Sequence, residues 1–185
     1  MCIVMEQYKG TIELVTGPMF SGKSSYIINK IERYMIAKKS CIALKWKGDI
    51  RYTIEPFITT HSGLKCDCIS CDNLFDVYPS IKKYEIICID EGAFFKEIVS
   101  FCEMLANNGH IVIVASLIGN YKREGFNDIL NLIPKCEKVT MINAICVKCF
   151  NETASFSKRI VNSTELELIG GSESYIAVCR KCFFS

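Results

Sequence analysis

The stretch Thr16-Gly-Pro-Met-Phe-Ser-Gly-Lys-Ser-Ser25 carries the first chemistry legible in the chain. Gly17 is followed by four residues and then by Gly22-Lys23-Ser24, the spacing of a loop that cradles phosphates. Such a loop, here Gly17, Pro18, Met19, Phe20, Ser21 and Gly22, aims backbone N–H groups at an anion where a helix begins. Lys23 would reach the outer phosphates, and the Ser24 hydroxyl would ligate Mg²⁺. A second element is the apolar run from Ile86 that ends in Asp90-Glu91-Gly92. Adjacent carboxylates at a strand end leave in different directions. Asp90 can then serve the metal while Glu91 takes a proton. On that reading Glu91 is the base of a kinase acting on a hydroxyl, or it activates water in an ATPase. The plainer alternative is a cap on the next helix.

Cysteine supplies the third element. Cys146-Val-Lys-Cys149 and Cys179-Arg-Lys-Cys182 are two close pairs separated by residues 150–178. Four thiolates in two pairs match tetrahedral Zn²⁺ and leave no open coordination position, so one structural zinc per chain is expected. A redox dithiol is the alternative, and it needs only one such pair. A further cluster, Cys66-Asp-Cys68-Ile-Ser-Cys71, reads as reduced thiols, with a metal site involving His61 as the alternative. Cys41, Cys88, Cys102 and Cys136 read as small buried hydrophobes. His110 reads as structural.

The elements that would position these groups follow from periodicity. Ile12 to Val15 reads as the strand before the loop. Ile27, Ile28, Ile31, Tyr34 and Met35 give one apolar face to a helix from Ser24 to about Lys38. Strands follow at Cys41 to Trp46, Glu85 to Asp90 and His110 to Ala115. A helix through Ile98, Phe101, Cys102 and Leu105 ends near Asn107-Asn108-Gly109. Continuous apolar strands alternating with amphipathic helices imply a parallel sheet covered on both faces. Residues 49–83 are less regular and are expected to hold short hairpin strands or an insertion. After about Asn143 the character changes to short β-like pieces, SFSKRIV, ELELI and SYIAV, between the cysteine pairs. The expected division is a nucleotide-binding α/β domain over residues 1–142 and a small zinc-binding domain over residues 143–185.

Composition narrows the function classes. A net charge of +2 over 185 residues, with 23% charged residues and no arginine-lysine stripe, points away from nucleic acid and from membrane surfaces. No apolar run approaches the ~18 residues of a membrane span. Met1 to Glu13 lacks a signal-like apolar core. The 12 cysteines are therefore expected in a reducing, cytoplasmic setting.

GPMFSGKSS, DEGAFF, ASLIGNYKREGF and the final CVKCF…SFSKR…ELIGG…YIAVCRKCF form an ordered series. Over nearly the whole chain it resembles the type II thymidine kinases of vertebrate cytosol, bacteria and large DNA viruses. The resemblance implies a P-loop, RecA-like α/β fold with a mostly parallel sheet and a small C-terminal Cys₄ zinc-ribbon or lasso domain. It implies transfer of the γ-phosphate of ATP to the 5′-hydroxyl of thymidine, dependent on Mg²⁺, in nucleotide salvage. Glu91 would be the base, with Lys23 and Arg51 the other catalytic groups, and Asp90 would serve the metal. Asp49 and Arg51 of KGDIRY match the family's acid-x-Arg pair near the acceptor. The nucleoside pocket would be lined by Met19, Phe94, Leu117, Tyr121, Phe126, Ser157, Leu168 and Tyr175. The family further implies a homotetramer, inhibition by dTTP, and residence in the cytoplasm, that of the host if the source is viral. Ala93 stands where the family usually has Gln. The alternatives are a kinase for another deoxynucleoside and a P-loop ATPase whose zinc ribbon grips nucleic acid.

Overall fold

The computed structural model describes residues 10–49, 57–59 and 65–185. Strand β1 (Thr11–Thr16) runs into the glycine loop and helix α1 (Lys23–Ile36), followed by β2 (Cys41–Trp46). A short antiparallel hairpin, β3 (Phe57–Thr59) with β4 (Lys65–Asp67), precedes β5 (Ile69–Cys71) and helix α2 (Leu74–Ile81). Then come β6 (Ile86–Asp90), α3 (Ile98–Asn107), β7 (Ile111–Ser116) and β8 (Lys138–Met141). The sheet order is β5-β2-β6-β7-β1-β8, and every pairing in it is parallel.

Successive strand residues face opposite sides, so a strand apolar at every position must be covered twice. In β6, Ile87 and Ile89 pack with α2, α3 and the 3-10 helix at Asn127–Lys135. Ile86 and Cys88 of the same strand join α1 and the hairpin residue Ile58 on the other face. α1 buries Ile27, Ile28 and Ile31 as the spacing predicts, but Met35 and Ile36 are exposed. Tyr34 still packs against the core, so the expected apolar face overshoots the packed one only at Met35, and Lys38 at φ 59 lies just past the helix end.

Residues 49–83 do hold a hairpin, β3–β4, and also α2, which the sequence did not announce. That helix is eight residues long and contains Pro79, which removes a donor and reads as a breaker. Its start is fixed locally, because the Asn73 side chain accepts from Phe75 N–H at 2.8 Å.

Beyond β8 the chain forms small antiparallel pairs. β9 (Ala144–Ile145) pairs with β10 (Thr153–Ala154), and β11 (Phe156–Arg159) with β12 (Tyr175–Val178), followed by helix α4 (Arg180–Phe184). They enclose a core of their own around Cys146, Ala154, Ala177, Val178, Cys179 and Cys182. The expected strand piece ELELI is irregular instead. β11 and β12 already pair with each other, so the segment between them is left to project as a loop. Among the described residues no helix is long and apolar enough to cross a membrane.

Candidate active site

The loop between β1 and α1 needs glycine at two positions for different reasons. A Cβ at Gly17 would meet the Ile142 carbonyl oxygen at 2.0 Å, so the residue is dictated by close backbone approach. Gly22 has open space around it but sits at φ 88, a left-handed conformation that side chains resist. It is the N-cap of α1, and the first turn carries neither a side-chain cap nor an acidic residue. The first-turn N–H groups and the positive end of the helix dipole are therefore left for an anion. Lys23 is buried, and its Nζ donates to the carbonyls of Pro18 at 2.7 Å and Gly17 at 3.2 Å. Ser21 Oγ donates to Pro18 O at 2.8 Å, which shapes the turn further.

Asp90 and Glu91 leave the end of β6 in different directions. Ser24 Oγ donates to Asp90 Oδ2 at 2.9 Å, so this carboxylate reaches the start of α1. Its other oxygen accepts the Glu91 N–H at 3.1 Å. Glu91 is itself buried and held at φ 55, an uncommon conformation for a residue with a side chain. The short helix Gly92–Phe94 that follows receives no side-chain cap from it. Instead, Glu91 lines a cleft. The Ser24 hydroxyl and the Asp90 carboxylate are hard oxygen donors, and their closeness fits Mg²⁺, which takes few protein ligands and keeps several waters.

The cleft beside Glu91 spans about 570 Å³, part of it open to solvent. Met19, Asp49, Phe94, Leu117, Tyr121, Phe126, Ser157, Leu168 and Tyr175 all line it, so the expected nucleoside residues within the described chain come together. They arrive from five places: the glycine loop, the ends of β2 and β6, the loop after β7, and the β11–β12 excursion. Phe94 stacks on Trp46 (4.5 Å between centroids, 7° between planes) and meets Phe126 edge-on at 5.5 Å. This gives one flat aromatic wall. Ser157 Oγ accepts the buried Met19 N–H at 2.9 Å and so ties β11 to the glycine loop. Arg51 lies outside the described residues, as does His61.

Several residues at the site were not singled out from the sequence. Trp46 lines the cleft, but a strand-end tryptophan gives no signal of its own. Lys45 is buried, pairs with Asp49 at 3.4 Å and lies opposite Asp90 across β2–β6. Its signal was available: a lysine inside the apolar strand CIALKW, four residues before an acid. Asn120 shapes the loop after β7 by accepting from Lys122 N–H at 2.9 Å and Glu124 N–H at 3.0 Å. Asn127 donates to Ala93 O and to Glu167 Oε1, both at 2.9 Å, joining the turn after Glu91 to the β11–β12 excursion.

Cys146, Cys149, Cys179 and Cys182 form a cluster whose sulfurs all lie within 4.8 Å of one another. Tetrahedral zinc with Zn–S of about 2.3 Å needs sulfurs about 3.8 Å apart, and Cys149 and Cys179 stand at 4.0 Å. The donor set fits a closed zinc site. Desolvation raises the Cys146 thiol, but backbone N–H groups of Cys179, Cys149 and Lys148 outweigh it and bring it down to about 6. Desolvation and the neighbouring sulfurs push Cys182 up to about 12. Cys146 is therefore favoured as a thiolate, while Cys182 resists ionisation without a cation. Burial pushes Cys68 and Cys71 up to about 11 and also raises Cys66, which leaves that cluster as thiols. Among the described residues only the C-terminal quartet groups three or more possible ligands. Of the scattered cysteines, Cys88 and Cys102 are fully buried, and Cys41 and Cys136 half-buried. His110 Nδ1 lies 2.8 Å from Tyr84 O, which fits its structural reading.

The family profile for thymidine kinase matches residues 10–183. Among similar proteins, the thymidine kinase of sheeppox virus (strain KS-1) is 50% identical over 175 residues, covering 95% of this chain and 97% of its own. That of vaccinia virus (strain Ankara) is 49% identical over 174 residues, with 94% and 97% coverage. That of myxoma virus (strain Lausanne) is 46% identical over 180 residues, with 97% and 99% coverage. Among solved structures, the flagellar accessory protein FlaH from Methanocaldococcus jannaschii superposes with a TM-score of 0.51 at 10% identity, covering 85% of this chain and 75% of that one. At that identity the likeness speaks for the fold alone.

Proposed function

The chain belongs to the thymidine kinase family, and from that premise we propose that it transfers the γ-phosphate of ATP to the 5′-hydroxyl of thymidine, giving dTMP. The observation that carries the reading is the parting of two adjacent carboxylates. Asp90 is hydrogen-bonded to Ser24 at the phosphate loop, while Glu91 faces the apolar cleft.

In this mechanism the loop amides from Gly17 to Gly22 and the Lys23 ammonium bind the phosphates of ATP. Ser24 and Asp90 would hold Mg²⁺, which supplies neutralisation of charge on the phosphates when bound. Glu91 accepts the proton of the 5′-hydroxyl as its oxygen attacks the γ-phosphorus and ADP departs. By the family's acid-x-Arg pattern, Asp49 and Arg51 would serve the acceptor oxygen, where an arginine neutralises charge developing on the transferred group. Phe94 and Phe126 hold the thymine ring, and the main chain around Leu168 reads its edge. The cysteine quartet would hold one structural zinc, limiting the freedom of the excursion that carries Leu168 and Tyr175.

The same reading takes residues 1–142 as the nucleotide-binding unit and 143–185 as the zinc-binding unit, supported by the separate core of the latter. It makes the protein a cytoplasmic homotetramer inhibited by dTTP, whose base would occupy the thymidine cleft. Family membership supports these last points.

The test is purified protein with Mg-ATP and each nucleoside, scored for the 5′-monophosphate. Thymidine should be the preferred acceptor. ATP hydrolysis indifferent to nucleoside would overturn the kinase reading, and preference for another deoxynucleoside would change the acceptor. Glu91→Gln should keep ATP binding and lower turnover by about 10²–10⁴-fold, because it removes the base and leaves the cradle. Near-normal turnover in that variant would mean that another group takes the proton.

A further inference from the structure

Arg159, at the end of β11, is not a lining residue of the cleft, yet it holds main-chain and side-chain groups of residues that line it. Its Nη1 donates to the carbonyls of Ser163 (3.3 Å) and Glu165, and its Nη2 to that of Leu166 (3.3 Å). Nε and Nη2 both donate to the Tyr175 hydroxyl, at 3.2 and 2.7 Å. Tyr175 in turn donates its own proton to Leu168 O at 2.8 Å. The guanidinium carbon lies 3.7 Å from the centroid of the Tyr121 ring, which lines the cleft from the loop after β7.

We propose that Arg159 is a positioning residue for the acceptor: it clasps the 163–168 segment closed over the cleft, and thymidine affinity depends on that clasp. The inference rests on the thymidine kinase reading above. The chemistry is particular to arginine. A planar fork presents five donors in fixed directions and keeps a flat face for an aromatic ring. An ammonium has neither the fork nor the face.

The need is visible in the segment itself. Residues 160–174 contain no regular strand or helix, so their carbonyls have no ladder to join. Arg159 gathers three of them directly and a fourth, that of Leu168, through Tyr175. Leu166 and Leu168 line the cleft, so fixing their carbonyls fixes the main chain that faces the ligand. Stacking on Tyr121 joins this wall to the loop after β7. One side chain thereby sets the distance between the two walls.

The experiment compares Arg159→Lys and Arg159→Met with the wild type, each as the full zinc-loaded chain. The KM for thymidine is expected to rise about 30-fold, as for loss of a charged hydrogen-bond cluster. The KM for ATP and kcat should stay within about 3-fold, the signature of lost ligand binding rather than lost chemistry. Tyr121→Leu, which keeps the hydrogen bonds and removes the stack, should raise the thymidine KM by less. A Glu-specific protease should cut after Glu165 and Glu167 at least about 10-fold faster in the Arg159 variants, since a freed segment opens locally.

A thymidine KM unchanged in Arg159→Lys would overturn the proposal. So would a KM for ATP that rises with that for thymidine, or protease cleavage no faster than in the wild type. If Arg159→Met loses zinc, Arg159→Lys carries the same comparison. A wild-type protein that does not phosphorylate thymidine would refute the kinase reading, while the protease comparison would still decide whether Arg159 clasps the segment.

Discussion

Replacing Ser157 by Ala removes one oxygen atom and tests whether the phosphate loop and the lobe of the cysteine quartet act together. Ser157 Oγ accepts the Met19 N–H at 2.9 Å, and both residues are buried. In the variant that N–H is stranded away from water, a loss of about 1–3 kcal/mol rather than the smaller net value of an average hydrogen bond. The oxygen is small, so little cavity cost adds to it. For a domain of this size each kcal/mol moves Tm by about 2–4 °C, which places the expected drop between about 2 and 12 °C. The measurement is thermal unfolding with zinc saturating, so that loss of metal does not contribute. Because Met19 belongs to the loop that faces the phosphates and also lines the acceptor cleft, kcat/KM should fall for thymidine and ATP together. That pattern differs from the one expected at Arg159. Ser157→Thr keeps the hydroxyl and should retain most of both. A Ser157→Ala protein within about 0.3 kcal/mol of the wild type, with both kcat/KM values within about 2-fold, would refute the reasoning.

Two further outcomes follow from charge and metal. Burial opposes ionisation of Glu13, but Lys138, Lys30 and Tyr26 donate to its carboxylate and bring it down to about 2 from an ordinary 4.5. A lowered carboxyl stabilises above the unfolded value and loses that effect as pH falls through the folded one, so up to about 3 kcal/mol should disappear between pH 4.5 and about 2. The Tm advantage of the wild type over Glu13→Gln should therefore be constant from about pH 7 to 5 and shrink below that; a gap that widens in acid would contradict the assignment. Cys182→Ser should lower zinc content below one per chain and weaken thymidine binding more than ATP binding. Trp46, the single tryptophan in the chain, lines the cleft and gives a fluorescence readout for that comparison. Equal weakening of both ligands would separate the metal from the acceptor wall.

What could be read from the sequence follows the range of the interactions involved. The phosphate loop and its helix were legible because their determinants are local: glycine spacing, a lysine, and an apolar face repeating every three to four residues. The parallel sheet was legible because strands apolar at every position need cover on both sides. The expected acceptor residues came from resemblance rather than from pattern, since the cleft they line forms only where five separate segments converge. α2 was missed because Pro79 masks a short helix, and β8 because its exposed residues carry no alternating signal. ELELI looked like a strand, but no partner edge is offered to it. Its fixed shape comes from Arg159, and a side chain that serves carbonyls four to seven residues ahead leaves no periodic trace.

The backbone at Glu91 links these pieces in one further step. In a continued strand, residues 90 and 91 would simply alternate across the sheet, and the helix after them would begin later. Instead Asp90 stays in register opposite Lys45, on the face where α1 and Ser24 lie, while Glu91 at φ 55 turns the chain at once into Gly92–Phe94. That turn delivers the carboxylate and the Phe94 ring to the same cleft within four residues of the phosphate loop's partner. A left-handed residue with a side chain costs about 1 kcal/mol, which glycine at this position would avoid. Glycine there would stabilise the turn and remove the carboxylate proposed as the proton acceptor. The strain and the carboxylate are thus found on the one residue where the donor and acceptor sides of the site meet.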